Sequence, residues 1–248
     1  MKIGIVKHLN ARPLTYYFEN TEGFETVADN PSVLVELLKK GNLDLALISS
    51  IECERNHNQL GYSKAVGVCA KDFVRSVLFY KNKKDLKPPE RIYTDSGSRA
   101  SVALLQCLFH LTYGFKPEVI PTNADQIESM MEKGNGSHLL FGDHALLHKT
   151  TPNYEIIDLA SWWNQSTGLY FCFAFWAYPK DKPIEDSLLK KALDYGLKNL
   201  DQIIQKETRL PTGIVDRYLR TELHYIPEEK NLKGFELYIE TCGKLKLI

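Results

Sequence analysis

The sequence predicts an α/β fold of two lobes with a ligand cleft between them. Three observations carry this. Short apolar runs alternate with helical patterns, as in parallel sheets covered by helices. The order β-α-β-α-β occurs twice, over residues 2–48 and again over 91–141. The chain then returns through the apolar run 169–178 (LYFCFAFWAY), which reads as a strand buried on both faces.

The elements follow in order. Residues 2–6 read as a strand, 12–18 as a short helix and 24–28 as a second strand. Asn30-Pro31 starts the next helix, because Asn30 or Ser32 suits the cap and Pro31 the first turn. Val33, Leu34, Leu37 and Leu38 give it an apolar face, and Gly41 ends it. Residues 43–48 (LDLALI) form a third strand, and 66–70 and 74–80 two more. Residues 81–89 are polar and Lys-rich and end in Pro-Pro, which reads as a linker. The second unit runs strand 91–94, amphipathic helix 98–111, strand 117–120, helix 124–133 and strand 138–141. A strand at 154–158 and a helix at 160–165 precede the apolar run. After Pro183 the chain reads helical over 185–206, 212–222 and 228–241, with Leu188, Leu189, Ala192, Leu193, Gly196, Leu197 and Leu200 forming the apolar stripe of the first. Crossings near 80–90 and 167–178 divide the chain into one lobe of 1–84 plus 175–248 and another of 85–174.

Composition removes several functions. The 31 Lys+Arg cancel the 31 Asp+Glu. Nucleic-acid binding draws most of its affinity from neutralised phosphate and so calls for a basic excess. Disorder calls for fewer apolar residues than 44% and for a net charge. The ten-residue apolar run is half of the ~20 residues that span a membrane. Met1-Lys2 leads straight into the first strand, without the apolar core and cleavage site of a signal peptide. These features point to a cytoplasmic protein whose partner is a small molecule, with neither nucleic acid nor membrane. The five cysteines are odd in number, widely spaced and without CxxC, so they read as free thiols and assemble no zinc site.

Strand C-termini and helix N-termini point into a cleft between lobes and present backbone N–H groups there. Five polar clusters lie at such places. His8-Leu9-Asn10 follows the first strand, and Asn10 suits a helix cap or a ligand oxygen. Ser49, Ser50 and Glu52 follow the third, Glu52 as a general base or a first-turn acid. Thr94 to Ser101 (TDSGSRAS) forms an anion nest of backbone N–H groups and serine hydroxyls, with Ser76 facing the same cleft. Gly142-Asp143 ends the second unit, Asp143 as a cap or an acid–base group. Trp162-Trp163 through Thr167-Gly168 suits either a pocket wall or hinge packing. His144 and His148 are four apart, but the glutamate of H-E-x-x-H is missing and no third ligand is evident, so no metal is assigned. No Walker A loop, GxGxxG or GxSxG occurs.

Taken together, these segments resemble one family, the chorismate dehydratases of the futalosine route to menaquinone. The resemblance rests on HLNARPL at 8–14, the Asn30-Pro31 helix start, GNLDLALISSIE at 41–52 and VRSV at 74–77. It continues through DSGSRASVALL at 95–105, FGDHAL at 141–146 and WWNQSTGLYFCFAFWA at 162–177. The chain departs from the family pattern at Ser49 and Tyr170, where proline is usual, and at Gly97 and Ala100, where a Ser and a Thr are usual. The resemblance implies a two-lobed periplasmic-binding-protein-like (type II) fold, conversion of chorismate to 3-[(1-carboxyvinyl)oxy]benzoate, and no metal or organic cofactor. For that reaction a substrate carboxylate falls to Ser76 and to the nest of Ser96, Gly97, Ser98, Arg99 and Ser101, with Ser50, Gly142 and Thr167 completing the binding set. Asn10 would orient the substrate or assist the leaving hydroxyl. Asp143, Glu52 and His8 are candidate bases, as is the substrate's own enolpyruvyl carboxylate. Two rival readings are a dihydroxynaphthoate synthase-like enzyme of the same pathway and a non-enzymatic binder of a small anion.

Overall fold

The computed structural model describes residues 1–95, 97, 99–147 and 152–248. The first lobe begins with β1 (Lys2–Ile5), α1 (Arg12–Glu19), β2 (Glu25–Ala28), α2 (Pro31–Lys39), β3 (Leu45–Ser49), α3 (Ser50–Arg55) and β4 (Leu60–Ala70). The second holds β5 (Val77–Asn82), β6 (Arg91–Asp95), α4 (Arg99–Tyr113), β7 (Glu118–Thr122), α5 (Ala124–Glu132), β8 (His138–Phe141), α6 (Gly142–Leu147) and β9 (Tyr154–Asp158). Helix α7 (Leu159–Thr167) leads back to β10 (Phe171–Pro179), and α8 (Asp186–Lys198), α9 (Leu200–Lys206), α10 (Thr212–Arg217) and α11 (Glu229–Lys244) complete the first lobe.

Each lobe is built on a five-stranded sheet, ordered β2-β1-β3-β10-β4 and β7-β6-β8-β5-β9. The two orders match. In each, the β-α-β-α-β unit supplies three parallel strands, and an antiparallel strand inserts beside the third. In the first lobe that strand is β10, antiparallel to both β3 and β4. Phe171, Phe175 and Trp176 on it are almost wholly buried, as a strand flanked on both edges and both faces must be.

Sheet membership moves the lobe boundaries. Strand β5 belongs to the second sheet, so the first crossing is the turn at 71–76, not the polar stretch near 80–90. That stretch is a surface loop within the second lobe, between β5 and β6. All of β10 belongs to the first sheet, so the second crossing runs through α7 and residues 168–170. Polar composition marks a loop but carries no information about which sheet follows it.

One carboxylate ties the two crossings together. Asp158, at the end of β9, accepts the N–H groups of Val74 (3.0 Å) and Arg75 (2.7 Å) in the first crossing. Its other oxygen accepts those of Ala160 (3.0 Å) and Ser161 (3.1 Å), capping α7 at the start of the second. Arg75 sits at φ +56°, a left-handed conformation that a side-chain-bearing residue rarely adopts, and its N–H is held there by Asp158.

The C-terminal helices differ from the expected three. Asn199 divides residues 186–206, because its side-chain amide donates to the Tyr195 carbonyl (2.8 Å) and competes with the helix. After Arg217 the chain widens into a π-helical turn, Tyr218–Glu222, which aims Tyr218 at the crossing. Strand β4 begins at Leu60, six residues earlier than expected. It lies at the sheet edge, where polar residues such as Lys64 are tolerated. Helix α8 approaches α1 so closely that a Cβ on Gly196 would lie 1.8 Å from the Pro13 carbonyl oxygen. That contact anchors the start of α1 and the turn carrying Asn10. Trp162 and Trp163 are core, packing on Phe79 and Phe109 and on Phe171 and Tyr238 respectively. All five cysteines are buried and free. Among the described residues no helix is long and apolar enough to cross a membrane.

Asp158→Ala strands four N–H groups, two of them at the first crossing. At about 1–3 kcal/mol for each buried donor left unpaired, the two in wholly buried bonds, those of Val74 and Ala160, imply a loss of about 3 kcal/mol. Thermal denaturation should show it as a drop in Tm of roughly 6–12 °C at this chain length.

Candidate active site

A cavity of about 540 Å³ lies between the lobes. Its walls are the C-terminal ends of strands and the helix starts that follow them, the preferred ligand position in such sheets. The first lobe contributes His8, Asn10, Ser32, Ser49, Glu52 and Phe173; the second contributes Ser76, Gly97, Arg99, Ser101, Phe141, Gly142 and Asp143.

Asn10 follows β1 on a single 3-10 turn, Leu9–Ala11. It caps nothing: α1 is preceded by Ala11, without a side-chain cap. The Asn10 amide is therefore free to meet a ligand. Ser76, only 4% exposed, follows the crossing. Its hydroxyl accepts from the Tyr218 phenol (2.7 Å) and its carbonyl from the Gly142 N–H (2.7 Å). Its remaining hydroxyl hydrogen is available toward the cavity. Gly142 adopts φ +63°. At Gly97 a Cβ would meet the Phe141 ring at 2.7 Å, so glycine permits that wall to close. Ser101 lies buried in the first turn of α4. Ser96 and Ser98 lie outside the described residues, as does His148.

Two expected binding residues point elsewhere. Ser50 is fully buried and donates to the Cys172 carbonyl (2.8 Å), pinning α3 to β10. Its neighbour Ser49 lines the cavity instead, with a buried hydroxyl that has no protein partner. Thr167 donates to the Trp163 carbonyl (2.7 Å) and accepts from the Leu169 N–H (3.1 Å), closing the end of α7 away from the cavity. Arg12 pairs with Glu19 and Arg75 with Glu222, which leaves Arg99 as the basic side chain lining the cavity among the described residues.

The carboxylates proposed for acid–base work are engaged. Glu52 Oε1 takes Arg55 Nη1 at 2.6 Å and Arg99 Nη1 at 3.1 Å, and Oε2 takes the Asn56 amide at 3.3 Å. Burial alone would raise its pKa, but the two guanidinium groups more than offset this and hold it below the ordinary 4.5. A carboxylate held so firmly ionised is a poor proton acceptor. Asp143 Oδ2 pairs with Arg209 Nη1 at 2.8 Å. His8 is different. Its ring lines the cavity and packs edge-on against Phe141, and among the described residues no hydrogen bond holds it. The surrounding protein lowers its pKa by desolvation, against the opposing charge of Asp143, so it is neutral and able to accept a proton at pH 7. Arg209 and Tyr218 were not legible beforehand, because both come from the C-terminal helices, which no strand-end pattern links to the cleft. Outside the cavity, Asp125, Glu128 and His144 bring one ligand atom each within 4.8 Å of one another, with His144 hydrogen-bonded to Glu128.

A family model described as menaquinone biosynthesis matches residues 1–244. The chain belongs to this menaquinone-biosynthesis family. Two curated members are similar along nearly their whole length. A chorismate dehydratase from Thermus thermophilus is 29% identical over 266 residues, covering 97% of this chain and 94% of the relative. A chorismate dehydratase from Campylobacter jejuni is 27% identical over 258 residues, covering 100% of both. Among solved structures, protein AF1704 from Archaeoglobus fulgidus superposes with a TM-score of 0.78 at 14% identity, over 100% of this chain and 98% of that one. The alkanesulfonate-binding protein SsuA from Xanthomonas axonopodis pv. citri gives 0.64 at 14% identity, over 100% and 92%. The periplasmic aliphatic sulphonate binding protein SsuA from Escherichia coli gives 0.67 at 15%, over 100% and 93%. Likeness at such identities is one of fold, and the fold is the periplasmic-binding-protein type. In this chain the two-lobed scaffold encloses a largely apolar cavity set with a few neutral polar groups, among them Asn10, Ser49, Ser76 and Ser101.

Glu52 also makes a prediction about acid stability. Its folded pKa lies below its unfolded value, so its contribution is complete above about pH 4.5 and is lost as pH falls through the folded pKa. Glu52→Gln should lower Tm at pH 7, and the gap from wild type should narrow steadily below pH 4.5. A constant gap across that range would show that the ionised carboxylate contributes nothing.

Proposed function

We propose that this chain is a chorismate dehydratase, removing water from chorismate to give 3-[(1-carboxyvinyl)oxy]benzoate in menaquinone biosynthesis. The observation that carries the reading is the inter-lobe cavity and the neutral donors set in its wall. Asn10, Ser76, Ser101 and the strand-end N–H groups surround a space suited to a small ring acid, in a chain that matches two named dehydratases from end to end. The substrate is a dicarboxylate met in the cytoplasm. Substrate and product differ by one water, so the reaction calls for no electron acceptor.

The chemistry makes three demands. The C3 proton of chorismate is acidified by conjugation to the ring carboxylate, and its removal leaves a delocalised dienolate. Loss of the C4 hydroxyl then makes the ring aromatic, so that step is strongly downhill. The site must therefore hold the carboxylates, stabilise the dienolate and help the hydroxyl leave. Preorganised dipoles meet the first two demands without a reactive side chain. Ser76, Ser101 and Arg99 bind the ring carboxylate. Asn10, on the opposite lobe, orients the ring and the leaving hydroxyl. With Glu52 and Asp143 both engaged, the proton acceptor is His8 or the substrate's enolpyruvyl carboxylate.

The direct test is incubation of the purified chain with chorismate and detection of the dehydrated benzoate by mass and ultraviolet absorbance. Tight binding without product would instead establish a small-anion binder. Asn10→Asp places a negative charge beside an anion and should reduce kcat by about 10²–10³, the usual cost of losing a preorganised donor, with the fold retained. If His8 accepts the proton, kcat/KM falls on the acid side with a midpoint below 6.5, and His8→Gln removes that limb together with most of the rate. An unchanged rate in His8→Gln assigns the proton to the substrate's own carboxylate.

A further inference from the structure

Two ion pairs cross between the lobes at the cavity, and neither carboxylate is free for proton transfer. Arg99, at the start of α4 in the second lobe, reaches Glu52 of the first at 3.1 Å. Arg209, between α9 and α10 in the first lobe, reaches Asp143 of the second at 2.8 Å. The polarity alternates, since the first lobe supplies the acid in one pair and the base in the other. In each pair the first-lobe member is already held within its own lobe, Glu52 by Arg55 (2.6 Å) and Arg209 by Glu207 (2.6 Å). The first lobe therefore presents two preset charges, and each meets its matching partner from the second lobe across the cavity. A misaligned approach that set Arg99 against Arg209, or Asp143 against Glu52, would place like charges together.

We propose that Arg209 is a positioning residue for the dehydration: on closure it seats Asp143, and with the Glu52–Arg99 pair it sets the width and register of the closed cavity. The proposal rests on the dehydratase reading of that cavity. It reassigns Asp143 from acid–base work to alignment of the wall formed by Gly142 and Ser76, which are joined by the Gly142 N–H to Ser76 carbonyl bond. Arg209 is half exposed and Asp143 about a third exposed. Pairs of that exposure contribute modestly and are screened by salt, so the expected effect is about five-fold, not an abolition of activity.

The test is a double-mutant cycle in the full chain: Arg209→Gln, Asp143→Asn and the double variant, assayed with chorismate at low and high salt. Each single variant should raise KM about five-fold at low salt and leave kcat within about two-fold. The double variant should match the singles instead of multiplying them. Added salt should raise the wild-type KM and change those of the variants little. A collapse of kcat in Asp143→Asn alone would overturn the proposal and return Asp143 to proton transfer. Multiplying effects would also overturn it, since the two residues would then act independently. A readout independent of turnover is the radius of gyration by small-angle scattering at low salt. It should be larger for Arg209→Gln than for wild type, and equal radii would count against the pair as a closing contact. A wild-type chain that leaves chorismate unchanged would refute the dehydratase reading, while the scattering result would still decide whether the pair closes the lobes.

Discussion

The buried Asp158 carboxylate is the contact on which the two-lobed arrangement depends. A charge taken out of water is costly unless its oxygens are fully hydrogen-bonded, and here four backbone N–H groups converge on it. Burial raises its pKa, and the four amides pull it back only in part. Because those amides belong to both crossings, one side chain sets how the lobes join. Ser76 follows directly from this knot and so enters the cavity at a defined place. Tyr218 then reaches Ser76 from the π-helical turn, and Glu222 on the same turn gathers Arg75 and Arg217. The C-terminal helices are thus fastened to the hinge.

Strand β10 does comparable work inside the first lobe. It is laid down after the second lobe is complete, yet it pairs between β3 and β4. The last strand of the first sheet thereby brackets the whole second lobe, and Phe173 and Ala174 join Ser49 at the cavity. Ser50 bonds to this strand through the Cys172 carbonyl. That bond is the reason the adjacent Ser49, and not Ser50, lines the cavity.

Overall charge neutrality takes on a definite meaning in this cavity. An anionic substrate enters a space where Arg99 is already shared with Glu52, and Asp143 with Arg209. On the proposed reading, recognition then falls to local dipoles and the shared Arg99, which act strongly in a cavity shielded from water.

Much of the fold was legible because periodicity is local. The alternation over 2–48 and 91–141 reads from neighbouring residues, as do the capping positions around Asn30-Pro31 and the fully apolar β10. Cleft-facing positions such as Asn10, Gly97, Arg99 and Asp143 were also within reach, since a strand end followed by a helix start marks them in any open α/β sheet. What local pattern could not determine was every long-range partner. Tertiary structure alone decided that β5 joins the second sheet, that Thr167 closes a helix, and that Glu52 and Asp143 are held by arginines. It likewise brought Tyr218 and Arg209 to the site. The physical reason is the same in each case. Hydrophobic spacing encodes which face of an element is buried, whereas the partner of a polar side chain depends on what the rest of the chain delivers to that face.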